Sequence, residues 1–367
     1  MQAIPSVAAM KSERNYGIDL LRIISMLMII ILHILGHGGV LKNTAVLSYR
    51  YEAAWFLETA SYCAVNCYAL ISGYVAVKSK FKYSGIVSLW LQVVFYTVLI
   101  ATVMAIVSPN IGKAEVIDSF FPVSNKIYWY FTAYFCMYFF TPIFNKAIGA
   151  LSEKQLKAIG VAIFAVFCLI PFLKQSDIFS VIRGYSPIWL MMLYILGGII
   201  NKCNLLSKIK PWVLILLYVL MVAITWGERL ICDYYNANFS PENQLVTKLT
   251  QYTSPTIFFA AIFLFAGFSK LKISGALIKP IALFSSTSFS VYLIHENPYV
   301  RVNVIKKIAT VFPKLNTPLL VLGVLATAVL IYLICSLIDI IRERLFKALK
   351  VKKLVSNMEQ KLFKNIW

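Results

Sequence analysis

The chain has 367 residues, 60% hydrophobic and 14% charged, with mean hydropathy +0.77 and a formal net charge of +20. A soluble chain carries roughly 25% charged residues, so this composition excludes an ordinary soluble globular protein and points to an all-α integral membrane protein. Lys and Arg lie in small groups between apolar runs rather than on one polar face, which excludes a nucleic-acid footprint and suits loops beside anionic lipid headgroups.

The N-terminal MQAIPSVAAMKSERNYG is not expected to be a signal peptide, because the apolar run after it is long enough to span and lacks a small-residue cleavage site. About 20 mostly apolar residues cross a bilayer as a helix. Ten segments qualify: 16–35, 55–77, 84–107, 127–148, 158–173, 187–200, 212–227, 254–268, 278–295 and 317–341. No polar stretch between them is long enough to fold as a separate soluble domain. The membrane body, residues 1–341, is therefore expected to be essentially the whole protein, followed by a basic tail over 342–367.

The first segment, YGIDLLRIISMLMIIILHILGH, carries Arg22, His33 and His37. A charged side chain at mid-bilayer costs at least ~2.5–3.5 kcal/mol, so such a residue marks a functional site by default. Arg22 and His33 are eleven residues apart. At about 100° per residue they lie roughly 20° apart on one helix face, with about 16 Å of axial separation. Asp19, three residues before Arg22, is placed to pair with the guanidinium. Two plainer readings stay open, namely that Arg22 is only neutralised by Asp19 or snorkels, and that His33 is an interfacial histidine. His33 and His37, one turn apart, also have the spacing of two metal ligands, but the intervening Glu of a zinc-protease helix is missing and no metal is expected.

In the second segment Glu58 and Asn66 are candidate substrate-facing groups, whereas Cys63 and Cys67 read as small packing residues. The link KSKFKYSG then brings Lys78, Lys80 and Lys82, either phosphate contacts or ordinary cytoplasmic lysines. Near the ninth segment, SFSVYLIHENPYVR adds His295 and Arg301, which, with His37, are candidate substrate contacts, His295 being equally readable as a structural group near Tyr292; all three histidines fall at one membrane face. The tail RERLFKALKVKKLVSNMEQKLFKNIW mixes Leu, Phe and Val with Lys and reads as an amphipathic helix on the inner leaflet, with a solvated tail as the alternative.

With the N-terminus inside, 22 Lys and Arg fall in cytoplasmic segments and 12 outside. Glu52, Glu58, Glu115, Asp118, Asp177, Glu228, Asp233, Glu242 and Glu296 all fall outside or at that edge. The positive-inside rule thus places both termini in the cytoplasm.

The Arg22–His33 spacing within YGIDLLRIISMLMIIILH resembles the first helix of the membrane-bound acyltransferase family 3. NCYALISGYVAV, WYFTAYFCMYFFTPIFNKAI, GYSPIWLMMLYILGGII and SVYLIHENPYVR follow in the family's order, and the last two look like its polysaccharide O-acetyltransferase branch. The resemblance spans residues 14–341. It implies transfer of an acyl group, most often acetyl, from cytoplasmic acyl-CoA to a hydroxyl of an extracytoplasmic glycan or glycolipid, in a multi-pass protein of a cell membrane, bacterial by expectation. Acyl-CoA, the glycan acceptor and membrane lipids are the implied partners, with acetyl-CoA as donor. The family's required first-helix Arg and His map onto Arg22 and His33. Where many members carry an Arg-rich segment after the second helix, this chain has Lys78, Lys80 and Lys82. A neutral His33 suits a general base, and Arg22, oriented by Asp19, suits the CoA phosphates or pantetheine end. The rival reading is a transporter or flippase for a lipid-linked sugar, against which stands the lack of an internal repeat or of paired broken helices.

Overall fold

The computed structural model describes residues 14–107, 112–239 and 244–363. Lys11, Glu242 and Lys364, which enter the charge balance above, lie outside these residues, as do segments 1–13 and 364–367. All regular structure among the described residues is helical. The principal helices are α1 (Tyr16–Leu35), α2 (Tyr49–Ser61), α3 (Ala64–Ala76), α4 (Tyr83–Val107), α5 (Trp129–Ala150), α6 (Glu153–Phe164), α7 (Pro187–Lys202), α8 (Pro211–Asn238), α9 (Pro255–Ser269), α10 (Ile278–His295), α11 (Thr317–Ala348) and α12 (Val351–Phe363).

Six stretches are long and apolar enough to cross a bilayer: Tyr16–Asn43, Tyr83–Val107, Glu153–Lys174, Pro211–Asn238, Gly275–His295 and Thr317–Ala348. α7 and α9 are shorter apolar helices. The chain is a multi-pass membrane protein. Its lipid-facing surface explains side chains such as Ile106, Trp212, Leu216, Leu322 and Leu337, all more than half exposed, which in water would form a large apolar patch.

Each of the ten apolar segments is helical, with two departures from a plain span. Segment 55–77 is two helices, α2 and α3. Near the break the Thr59 hydroxyl donates back to the carbonyls of Trp55 and Phe56 at 2.9 and 3.1 Å, and Tyr62 N–H reaches only Thr59, three residues back. Such local bonds compete with the helical ladder. Segment 158–173 continues α6 through a π-helical turn at Ala165–Leu169 into Ile170–Lys174. Pro171 has no N–H to give, and a wider turn accommodates that gap. Arg342 lies inside α11, which runs on to Ala348 before α12 begins.

The helices sort into central and peripheral ones. The apolar window of Tyr16–Asn43 is 61% buried and that of Gly275–His295 50%, against 17% for Pro211–Asn238. α1 starts sharply because Asn15 accepts from the N–H groups of Gly17 and Ile18 and donates to Ser269 O at 2.7 Å, tying α1 to the end of α9. α3 and α7 cross at near contact: a Cβ on Gly73 would lie 1.8 Å from Tyr194 O, and one on Gly197 2.2 Å from Leu70 O. Small residues let backbones approach closely where lipid supplies no hydrophobic drive between helices. α10 meets α11 through side-chain hydrogen bonds, Thr287 to Ser336 and Ser288 to Tyr332, both at 2.8 Å. Asp339 accepts from Tyr96, Ser290 and Arg342.

Candidate active site

In the first turn of α1, Asp19 is buried (1% exposed) and anchors a compact ion cluster. Arg22 Nη1 donates to its Oδ1 at 2.6 Å, Arg14 Nε to its Oδ2 at 2.5 Å, and Ser285 of α10 to Oδ1 at 3.1 Å. The Arg22 guanidinium is part exposed and lies within electrostatic reach of Tyr68 and Tyr134. Lys78, Lys80 and Lys82 are exposed in the link from α3 to α4 and make no ion pair among the described residues. The Lys82 carbonyl accepts the hydroxyl of Tyr138.

At the other end of the same helix, His33 occupies the last turn of α1 and meets the end of α10. Asn297 accepts from Tyr299 N–H and Pro298 follows, so α10 ends at His295 and Glu296 caps it. A turn later Arg301 reaches back, its Nη1 2.8 Å from Glu296 Oε1. Around this carboxylate stand His33 Nδ1 at 3.0 Å from Oε2 and His37 Nε2 at 3.6 Å from Oε1. The Glu296 side chain is 7% exposed, that of His33 15% and that of His37 47%.

The hydrogen bonds set the tautomers. His295, fully buried, places Nδ1 2.6 Å from the Val291 carbonyl, which can only accept. In the neutral ring the proton is therefore on Nδ1, and Nε2 is an acceptor. His33 Nδ1 lies 2.9 Å from that Nε2 and donates to it. The lone pair of His33 then sits on Nε2, which has no hydrogen-bond partner among the described residues. Glu296 Oε2 is close enough to His33 for charge interaction but off the N–H axis, and it is left buried without a hydrogen-bond partner. Glu296 stands one residue past the candidate span. Burial works against its ionisation, but the surrounding imidazoles, His33 foremost, outweigh it and hold the carboxyl down at about 2.

His33 lines a narrow cavity of about 50 Å3, walled by Met26, Tyr68, Trp129, Tyr130, Tyr252 and Tyr292 among others. Arg22 does not line it. Tyr68 touches both regions, lining the cavity and donating its hydroxyl to the Arg22 carbonyl at 2.7 Å.

The remaining candidates divide. His37, His295 and Arg301 gather with His33. Glu58 is 8% exposed, with Oε2 unpartnered, and interacts electrostatically with Tyr62 and Tyr252. Asn66 is fully buried and both ends of its amide bond to protein, Nδ2 to Tyr252 O at 2.8 Å and Oδ1 to Trp189 Nε1 at 3.0 Å, so it holds the Tyr252 backbone. Ligand atoms of His33, His37 and Glu296 lie within 4.8 Å of one another, a spacing a metal ion could use. The Arg301 guanidinium on the same carboxylate places a fixed positive charge there, which opposes a divalent cation.

Sequence reasoning passed over Glu296, counting it only as an outside acid, although its place directly after His295 and just before Asn297-Pro298 marks the end of a helix at the site. The cavity tyrosines carry no signal in a chain with 21 of them.

A histidine pair with a buried carboxylate thus sits within the helical bundle, and His33 of that pair lines an internal cavity. Residues 15–338, most of the chain, match a family model described as an acyltransferase domain, and the chain belongs to this acyltransferase 3 family. Comparisons with curated proteins and with solved structures return no match.

Proposed function

We propose that this membrane acyltransferase moves an acyl group, acetyl foremost, from cytoplasmic acyl-CoA to a hydroxyl of an extracytoplasmic glycan or glycolipid. The observation that carries the reading is the free Nε2 of His33, left as a base by the Val291–His295–His33 chain and facing no protein partner. In this mechanism His33 Nε2 takes the acceptor hydroxyl proton as its oxygen attacks the thioester carbon. The imidazolium so formed is balanced by Glu296 at 3.0 Å, itself steadied by Arg301. The tetrahedral intermediate collapses, the C–S bond breaks, and the proton on His33 passes to the departing thiolate. His33 is the catalytic base, and His295, Glu296, Arg301 and His37 position it and tune its charge.

Arg22, held by Asp19, is assigned to the CoA phosphate or pantetheine end, with Lys78, Lys80 and Lys82 as point charges for the phosphates. Both termini lie on the cytoplasmic side in this reading, with α12 resting on the inner leaflet. Tyr68 must turn aside for a pantetheine arm to pass from Arg22 to His33.

The test is transfer of labelled acetyl from acetyl-CoA to envelope glycans in membranes containing the protein or its His33→Ala variant. Transfer should fall by about 10³-fold with the variant still inserted, within the range for loss of a general base. Wild-type rates in His33→Ala would remove the assignment.

A further inference from the structure

Beside the cavity of His33 lies a second, larger pocket of about 370 Å3, formed where the segment after α6 meets the segment before α9. Its lining mixes apolar residues, among them Pro171, Phe172 and Val246, with polar ones. The side chains of Gln175, Ser176, Arg183, Lys248, Gln251 and Thr253 all face it, and none makes a hydrogen bond or ion pair among the described residues. Asp177 also lines it, but its carboxylate already accepts the backbone N–H groups of Val181 and Ile182, at 2.8 and 2.7 Å. The pocket therefore presents unused amide and hydroxyl groups with two unpaired cations.

A thin partition separates this pocket from His33. Gln251 and Thr253 face the pocket, while Tyr252 between them lines the His33 cavity. Arg183 faces the pocket, while Tyr185, two residues on, packs its ring 5.0 Å from Tyr252 and 4.6 Å from Trp129. Gly184 permits this closeness: its φ is +102°, and a Cβ there would lie 2.4 Å from that of Tyr252. Glu58, more than nine-tenths buried with an unpartnered oxygen, adjoins Tyr252 electrostatically.

We propose that this pocket is the acceptor subsite, taking a sugar unit that bears an anionic group and delivering its hydroxyl to His33 past the Tyr185–Tyr252 partition. The assignment rests on the acyl-transfer reading above. Sugar hydroxyls need mixed donors and acceptors, which the Gln, Ser and Thr side chains supply, and a carboxylate or phosphate matches Arg183 and Lys248. The Tyr252 backbone is held by Asn66, so rotation of the ring alone joins the two spaces.

The experiment compares cells making the wild-type protein with cells lacking it, reading alkali-labile acyl ester on envelope glycans, alongside acetyl-CoA affinity of the purified proteins. Gln251→Trp, which fills the pocket, should cut glycan acylation at least tenfold while acetyl-CoA affinity stays within twofold of wild type, a result a misfolded variant would not give. Arg183→Gln, which keeps a polar group without the charge, should cut it several-fold. Wild-type acylation in Gln251→Trp overturns the subsite, and so does a parallel loss of acetyl-CoA binding. A loss in Gln251→Trp with none in Arg183→Gln removes the anionic group from the assignment. If wild-type cells carry no more acyl ester than cells lacking the protein, the acyl-transfer reading itself falls.

Discussion

The two ends of α1 carry the same kind of residues in opposite states. At the N-terminal end, Asp19 accepts from two guanidiniums and a serine. At the C-terminal end, the imidazole and carboxylate groups are close, but His33 Nε2 and Glu296 Oε2 have no hydrogen-bond partners among the described residues. A satisfied buried ion cluster holds helices in place, whereas an unsatisfied one is a place where a ligand or a proton has work to do. One helix thus has a saturated polar end and an unsaturated one, and the difference lies in what α10 offers each: Ser285 at one, His295 and Glu296 at the other.

Variants that break one end without the other sharpen this contrast. The largest effect after His33→Ala is expected from Glu296→Gln, which should lower kcat on the order of 10²-fold with little change in stability. Steady-state rates read it, and an unchanged kcat would show that Glu296 does not act on the base. The Glu296 carboxyl, held at about 2, stays ionised throughout the assayed range and supplies no limb to the pH–rate profile.

Asp19→Ala should do the reverse. It strands two guanidiniums and is expected to cost about 2–3 kcal/mol, below the fully buried range because Arg14 is half exposed. Thermal unfolding in detergent would read it, and an unchanged midpoint would deny Asp19 its anchoring role. Smaller still, Asn66→Ala leaves Trp189 N–H buried and unpaired at a cost of about 1–3 kcal/mol and loosens Tyr252, so a modest loss of stability should come with a raised acceptor KM. The mildest is Arg22→Lys, which keeps charge but loses the planar fork. It should raise the KM for acetyl-CoA several-fold with kcat nearly intact, and an unchanged KM would remove Arg22 as a donor contact.

Much of the fold is legible in the chain. Apolar runs of span length can only be helices in lipid, because every backbone polar group must be satisfied within the segment, and α1 begins and ends where its apolar run places it. The shared face of Arg22 and His33, and the Asp19–Arg22 pair, follow from helix geometry alone. The break between α2 and α3 was not legible, since Thr59 and Ser61 sit in a run whose hydropathy favours continuity.

What the sequence alone determined is therefore local: a multi-pass helical membrane protein, with a cation and an imidazole on one helix face and an acid beside the cation. Only the tertiary structure decided the partnerships between distant segments. His33 meets His295 across 262 residues, Asn66 reaches Tyr252 across 186, and Tyr68 reaches the Arg22 carbonyl across 46. The physical reason is range: helical period and hydropathy act over a few turns, whereas burial of one helix against another, and the proton positions that burial enforces, depend on which distant segment packs there.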